Sequence, residues 1–168
     1  MNRKIIIILS FCLILFSCAQ SPESALEIMQ RFFDKGVSLP DGFLYTSRAQ
    51  ESSESYISQS ELGALYYENE EVPKELEVIE SYAIYISKGT EINELHIFKT
   101  KYRSERDTVE RMLNRRKKML LTPEINPNSS EFLCEKVKEC EVFSKGNYIF
   151  LIAGEDISFA VEICSKIC

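Results

Sequence analysis

Apolar positions along the chain change period several times, and each change marks an element. Ala25, Ile28, Met29, Phe32 and Phe33 recur at helical spacing between Ser21, a good N-cap followed by Pro22, and Gly36, a good helix terminator. Leu39-Pro40-Asp41-Gly42-Phe43 carries turn chemistry and predicts a small hairpin. Residues 47 to 60 are polar enough for an exposed loop. Ser60 is positioned to cap a short helix through Tyr67, and Pro73 to start another that ends near Ile79. Tyr82 to Ile86 and Leu95 to Thr100 are rich in β-formers and read as a hairpin around Lys88-Gly89. From Ser104 to Pro123 a strong helix follows, with Val109, Met112, Leu113, Arg116 and Leu120 along one side.

A connection at 126–130, with room for a short helix at 130–136, leads to a second hairpin. Cys140 to Phe143 and Tyr148 to Ile152 flank Ser144-Lys145-Gly146-Asn147, and Asp156 is placed to cap a last helix through Ile157, Ala160, Val161 and Cys164. Strand, strand, helix thus occurs twice, each time with Ser-Lys-Gly after the first strand. The expected fold is α+β: a four-stranded antiparallel sheet from two strand-strand-helix units, helices on one face, plus an N-terminal helix and a small hairpin.

The first apolar run is of a different kind. Ile5 to Phe16 follows Arg3 and Lys4 and is too short to span a bilayer, which takes roughly 20 apolar residues. It ends in Leu15-Phe16-Ser17-Cys18, which resembles a bacterial lipobox: an aliphatic residue three before the cysteine and a small one directly before it. The pattern predicts a signal peptide over residues 1–17, with Cys18 lipidated as the first residue of a single extracytoplasmic domain, 18–168. Cys12 is a poorer acceptor, because Phe11 precedes it and using it would cut the apolar run in half. Diacylation would supply the two chains that stable anchoring needs.

Ser81 to Phe98, the Arg103 to Arg116 helix and the Lys145-Gly146-Asn147-Tyr148-Ile149 turn resemble the domain-of-unknown-function family 4358, found on clostridial lipoproteins. The resemblance covers roughly the second half of the chain through loose hydrophobic motifs. It implies a Gram-positive anaerobe and a cell-surface location, and brings no catalytic residues to carry over.

Four further cysteines, Cys134, Cys140, Cys164 and Cys168, are an even number in an exported domain and can be read as disulfides. Free thiols packing as small hydrophobes are the second reading, favoured by an anaerobic host. Zinc is the weakest, since the spacings match no standard motif, although Cys164 and Cys168 share a helix face. A bridge from the third strand, or the segment before it, to the last helix would staple the C-terminus to the sheet. His96 is the only histidine and sits on a strand with Phe98 and Thr100 on its face; it reads as an ordinary strand histidine. No G-x-S-x-G elbow and no Gly-rich phosphate loop is present.

Charge narrows the partners. The chain carries 20 Lys plus Arg against 26 Asp plus Glu, and loss of Arg3 and Lys4 with the signal takes the net charge from −6 to −8. This acidity and the extracytoplasmic address argue against nucleic acid. Residues 101–118 are basic and 68–80 acidic, an asymmetry that reads first as solvated surface and second as a means of orienting the domain on anionic lipid or wall polymer. The sequence therefore points to a lipoprotein on the extracytoplasmic face of the cell membrane, held through Cys18, without a cofactor. It reads as a non-enzymatic module that binds an envelope protein or anionic polymer. The alternative is a thiol-based or metal-assisted envelope enzyme using the C-terminal cysteines.

Overall fold

Ser24, not Ser21, caps the first helix, because Ser24 is the serine with a glutamate three residues on. Its hydroxyl accepts from the Glu27 N–H at 3.3 Å, and the Glu27 carboxylate accepts from the Ser24 N–H in return. The computed structural model describes residues 23–67, 72–88, 92–121, 139–154 and 157–167. The expected signal peptide, Cys18, Cys134, the short helix expected at 130–136, Asp156 and Cys168 lie outside the described residues. Helix α1 (Ala25–Asp34) buries Ala25, Ile28, Met29 and Phe32 and leaves Phe33 38% exposed. Gly36, at φ +88°, turns the chain out of it.

Strand β1 (Gly42–Thr46) does not fold back into a local hairpin as the turn residues predict. It becomes the edge of the sheet, paired antiparallel with β2 (Ile79–Ser87). Glycine is required at its first position. A Cβ on Gly42 would lie 2.5 Å from the Tyr85 ring and 2.6 Å from the Ile86 carbonyl, and the Tyr85 hydroxyl is itself held by the Pro40 carbonyl. Helix α2 (Gln59–Tyr67) follows, capped by Ser58 with Glu61 in the same reciprocal pattern, and Pro73 starts a 3₁₀ turn, Lys74–Val78.

Strand β3 (Glu94–Thr100) pairs with β2, and helix α3 (Arg106–Leu121) enters through a 3₁₀ turn at Arg103–Glu105. Strands β4 (Cys140–Lys145) and β5 (Tyr148–Ala153) form the second hairpin, closed by Gly146 at φ +59°, and α4 (Ser158–Ile167) ends the described chain. The sheet has five strands in the order β1-β2-β3-β5-β4, all neighbours antiparallel.

Both faces of this sheet are covered, which corrects the expectation of helices on one face of four strands. Residues alternate between faces along a strand. Ala83, Tyr85, Leu95, Ile97, Phe150 and Ile152 pack under α1 and α4, whereas Ile84, Phe98, Ile149 and Leu151 pack under α2 and α3. All seven residues of β3 are buried, and so are the five from Ile149 to Ala153 of β5. A strand closed on both sides cannot keep the apolar-polar alternation of a half-exposed one. No helix among the described residues is long and apolar enough to cross a membrane.

Gly42→Ala is expected to lower stability by about 1–3 kcal/mol, the usual cost of overpacking, read as a lower urea midpoint. Gly146→Asn is expected to be tolerated: nothing lies within 4 Å of its Cβ position, and asparagine accepts a positive φ.

Candidate functional site

The polar side chains of β3 gather a largely buried cluster of acid-base groups. His96 is 0% and Glu94 3% exposed, and they point to the same face, that of α2 and α3, because they are two positions apart on the strand. Glu94 begins the strand, at the end where it pairs with Ala153, the last residue of β5. Tyr66 descends from α2 onto the histidine, its hydroxyl 2.8 Å from Nδ1 and its ring edge-on to both His96 and Phe98, centroids 5.8 and 5.9 Å away. Arg116 descends from α3 onto the carboxylate. Its Nε donates to Glu94 Oε2 at 3.0 Å, Nη2 donates to Oε1, and Nη1 reaches the Leu65 carbonyl on α2 at 3.4 Å.

Protonation follows from these partners. Burial pushes the Glu94 carboxyl up, but the Arg116 guanidinium, with help from His96, outweighs it and holds the pKa down at about 2. Burial lowers the His96 pKa below its ordinary value against the pull of Glu94, so the ring is neutral. Its Nε2 lies 3.1 Å from Glu94 Oε2, though not aligned for a good hydrogen bond. A carboxylate so close assigns the ring proton to Nε2 and leaves Nδ1 to accept from the Tyr66 hydroxyl. Burial also raises the Tyr66 pKa, keeping it a phenol. For Arg116 the Glu94 charge outweighs the cost of burial and raises the pKa further.

Tyrosine, histidine and glutamate are thus in the order of a proton relay, yet Tyr66 and His96 have no exposed surface through which a substrate could reach them. What the arrangement can do as it stands is couple protonation to folding. It fastens α2 and α3 to the central strand.

The sequence singled out different residues. Cys140, the first residue of β4, is a buried thiol opposite Ala153, which separates it from Glu94 in the row across the sheet. Burial pushes its pKa up to about 12, so no thiolate forms at neutral pH. Cys164, on α4, is buried in the other core, between the sheet and the α1/α4 layer. Cys140 belongs to the α2/α3 core, so the sheet separates the two and the expected staple from the third strand to the last helix does not form between them. Pairings with Cys134 or Cys168 lie outside the described residues, as does Cys18. No three His, Cys, Asp or Glu side chains among the described residues are grouped to hold a metal ion.

His96 sits on the face predicted for it, with Phe98 and Thr100. Sequence reading missed its partners, although the signal was there: Arg116 falls on the apolar stripe of its helix, where a charge needs a buried counterion, and Glu94 is two residues from His96. The basic segment 101–118 is not a single patch. Helix α3 runs from the β4–β5 turn, where Arg106 donates to the Gly146 carbonyl, to the opposite end of the sheet, where Arg116 turns inward.

Among the surface cavities of the described residues, two flank the α1/α4 layer, and Glu94 itself contributes to the lining of the first. One of about 290 Å³ opens at the Glu94 end of the sheet, on the α1/α4 face, floored by Leu95, Ile152, Ile157 and Ala160 and edged by Ser38 and Asn93. The other, about 490 Å³, lies between α1 and α4, with Phe159 and Ile163 among Arg31, Lys35, Glu162 and Lys166.

Two outcomes are expected of the buried cluster. Arg116→Met should cost about 3–5 kcal/mol in urea unfolding by leaving Glu94 charged and unpaired, and adding Glu94→Leu should recover much of that loss. Stability should also fall on acidification in two limbs. His96 and Glu94 both have folded pKa values below their unfolded ones, so each contributes fully above the unfolded value. The first limb sets in as pH drops through 6.5, the ordinary histidine value, and the second between 4.5 and about 2. His96→Asn should remove the first limb and leave the second, as measured by unfolding midpoints across that range.

No family model, curated protein or solved structure matches this chain.

Proposed function

We propose that this chain is a membrane-anchored lipoprotein whose single α+β domain works as a binding or interaction module at the cell envelope. The observation that carries the reading is how soon the fold begins after the lipobox. Glu23, the first described residue, already has its carbonyl accepting from the Tyr148 hydroxyl at 2.6 Å, and the Ala25 N–H donates to Ser81 Oγ at 3.0 Å. Only residues 19–22 lie between Cys18 and this fastening. A lipid on Cys18 would hold the domain against the bilayer with little slack.

The chemistry of the interior supports interaction over catalysis. The acid-base cluster is largely buried, and its charges stabilise the packing of α2 and α3. Cys140 is buried with its thiol protonated, which disfavours the alternative of a thiol-based envelope enzyme acting through that residue. Solvent instead meets Phe43 on β1, Tyr102 in the connection after β3 and Phe159 on α4, between 45% and 67% exposed.

Cys18→Ala is expected to abolish palmitate labelling and move the protein from the membrane fraction to the soluble one; unchanged labelling and retention would refute the anchor. Cys140 is expected to react with iodoacetamide only after denaturation, located by peptide mass analysis. Rapid modification in the folded protein, or stoichiometric zinc, would favour the enzyme.

A further inference from the structure

Building on the anchor at Cys18, we infer that the domain stands on one end of its sheet, with Tyr102 and the basic side chains around it resting on anionic lipid headgroups. Glu23 fixes which end this is. It is bound by Tyr148, the first residue of β5, whose partner on β3 is Lys99, and the next residue, Thr100, donates to the Asn147 carbonyl in the β4–β5 turn at 2.9 Å. At about 3.5 Å per extended residue, the chain from Cys18 to Glu23 spans roughly 17 Å at most. The β4–β5 turn and the exit of β3 therefore lie close to the bilayer, while the Glu94 end, with the start of α4, faces away.

What the fold puts at the near end suits a headgroup layer. Lys101, Tyr102 and Arg103 leave β3 in succession, and Tyr102 is 67% exposed, the most exposed of the large hydrophobic side chains there. Arg106 lies beside them, donating to the Gly146 carbonyl, and Lys145 precedes that glycine. A tyrosine ring bordered by cations is the amphipathic group that settles at a bilayer interface, and clustered Lys and Arg are drawn to anionic lipid.

The nearby carboxylates are mostly engaged. Glu80 pairs with Lys99 at 2.6 Å, Glu23 with Arg31, and Glu105 accepts from the Tyr102 N–H at 3.0 Å. Glu77 and Asp107 stay exposed, and the Glu77 carbonyl accepts from Lys101 Nζ at 2.6 Å, which holds that ammonium at the rim. For a chain of net negative charge, a local group of cations is the part that an anionic surface attracts.

The chain contains no tryptophan, so a single substitution creates a clean reporter. Tyr102→Trp and, at the far end, Phe159→Trp would be made in the full acylated protein and reconstituted in vesicles of phosphatidylglycerol or phosphatidylcholine, with brominated acyl chains as quencher. Indole fluorescence of the Tyr102→Trp protein should shift to the blue and be quenched in phosphatidylglycerol, less in phosphatidylcholine, whereas that of the Phe159→Trp protein should be unquenched in both. Lys101→Glu with Arg103→Glu in the Tyr102→Trp protein should remove the quenching while the protein still floats with the vesicles. Flotation of the Tyr102→Trp protein without quenching, or quenching as strong in the Phe159→Trp protein, would overturn the orientation and leave the anchor standing. Failure to float in either lipid would overturn the anchor and the orientation together.

Discussion

Strand β3 has no side that faces water, yet four of its seven residues are polar. That constraint organises the molecule, because each polar group must find its partner in a different element. Glu94 is met by Arg116 from α3, His96 by Tyr66 from α2, Lys99 by Glu80 on the neighbouring strand and Thr100 by the Asn147 carbonyl of the β4–β5 turn. A purely apolar strand would pack as well but would accept many arrangements of the helices above it. Here the bidentate contact of Arg116 and the hydroxyl of Tyr66 fix both the rotation of each helix and its position along the strand. Directional contacts supply uniqueness, and the apolar residues between them supply most of the stability.

Much of this architecture was legible in the residues. Ala25, Ile28, Met29 and Phe32 marked the buried side of α1, and the runs at 82–86, 95–100, 140–143 and 148–152 marked four strands where strands occur. The fifth was hidden because Pro40-Asp41-Gly42 carries turn chemistry, while the need for glycine comes from the Tyr85 ring, 43 positions away in the chain. The second layer of helices was hidden for another reason. Tyr148 to Ala153 is apolar without interruption, the mark of a strand covered on both sides, but so short a run cannot by itself say how many faces are covered. The candidate site was half legible: periodicity set Arg116 on a buried stripe and His96 on an inward face, and only the tertiary path of α3 brings the arginine to Glu94. The cysteines drew attention by number, and the two that are described are buried in separate cores on opposite faces of the sheet.

Acid sensitivity and the fastening of the N-terminus meet in the same strand. Its Glu94 end holds the groups whose protonation opposes folding, and its Thr100 end lies beside the fastening of the N-terminus. Protonation of Glu94 would release Arg116 from its partner, and with it the contact that spans from α3 to the carbonyl of Leu65 on α2. The α1/α4 core is reached only through the sheet and contains neither group. An acid-loosened state would therefore keep the α1 side, and with it the attachment of the chain start.

The hydrogen bonds at Glu23 and Ala25 have a mechanical meaning for a tethered protein. Tension on the leash enters at Glu23 and divides at once, one part passing through Tyr148 into β5 and the other through Ser81 into β2, the two strands that flank β3. Helix α1 is thereby spared from unwinding turn by turn from its first residue, because the load is taken up before it reaches the helical hydrogen bonds. The strands that receive it are interior ones, each bonded on both edges. If the proposed lipid anchor is present, a pull on it would be shared between two interior strands of the sheet rather than borne by α1 alone.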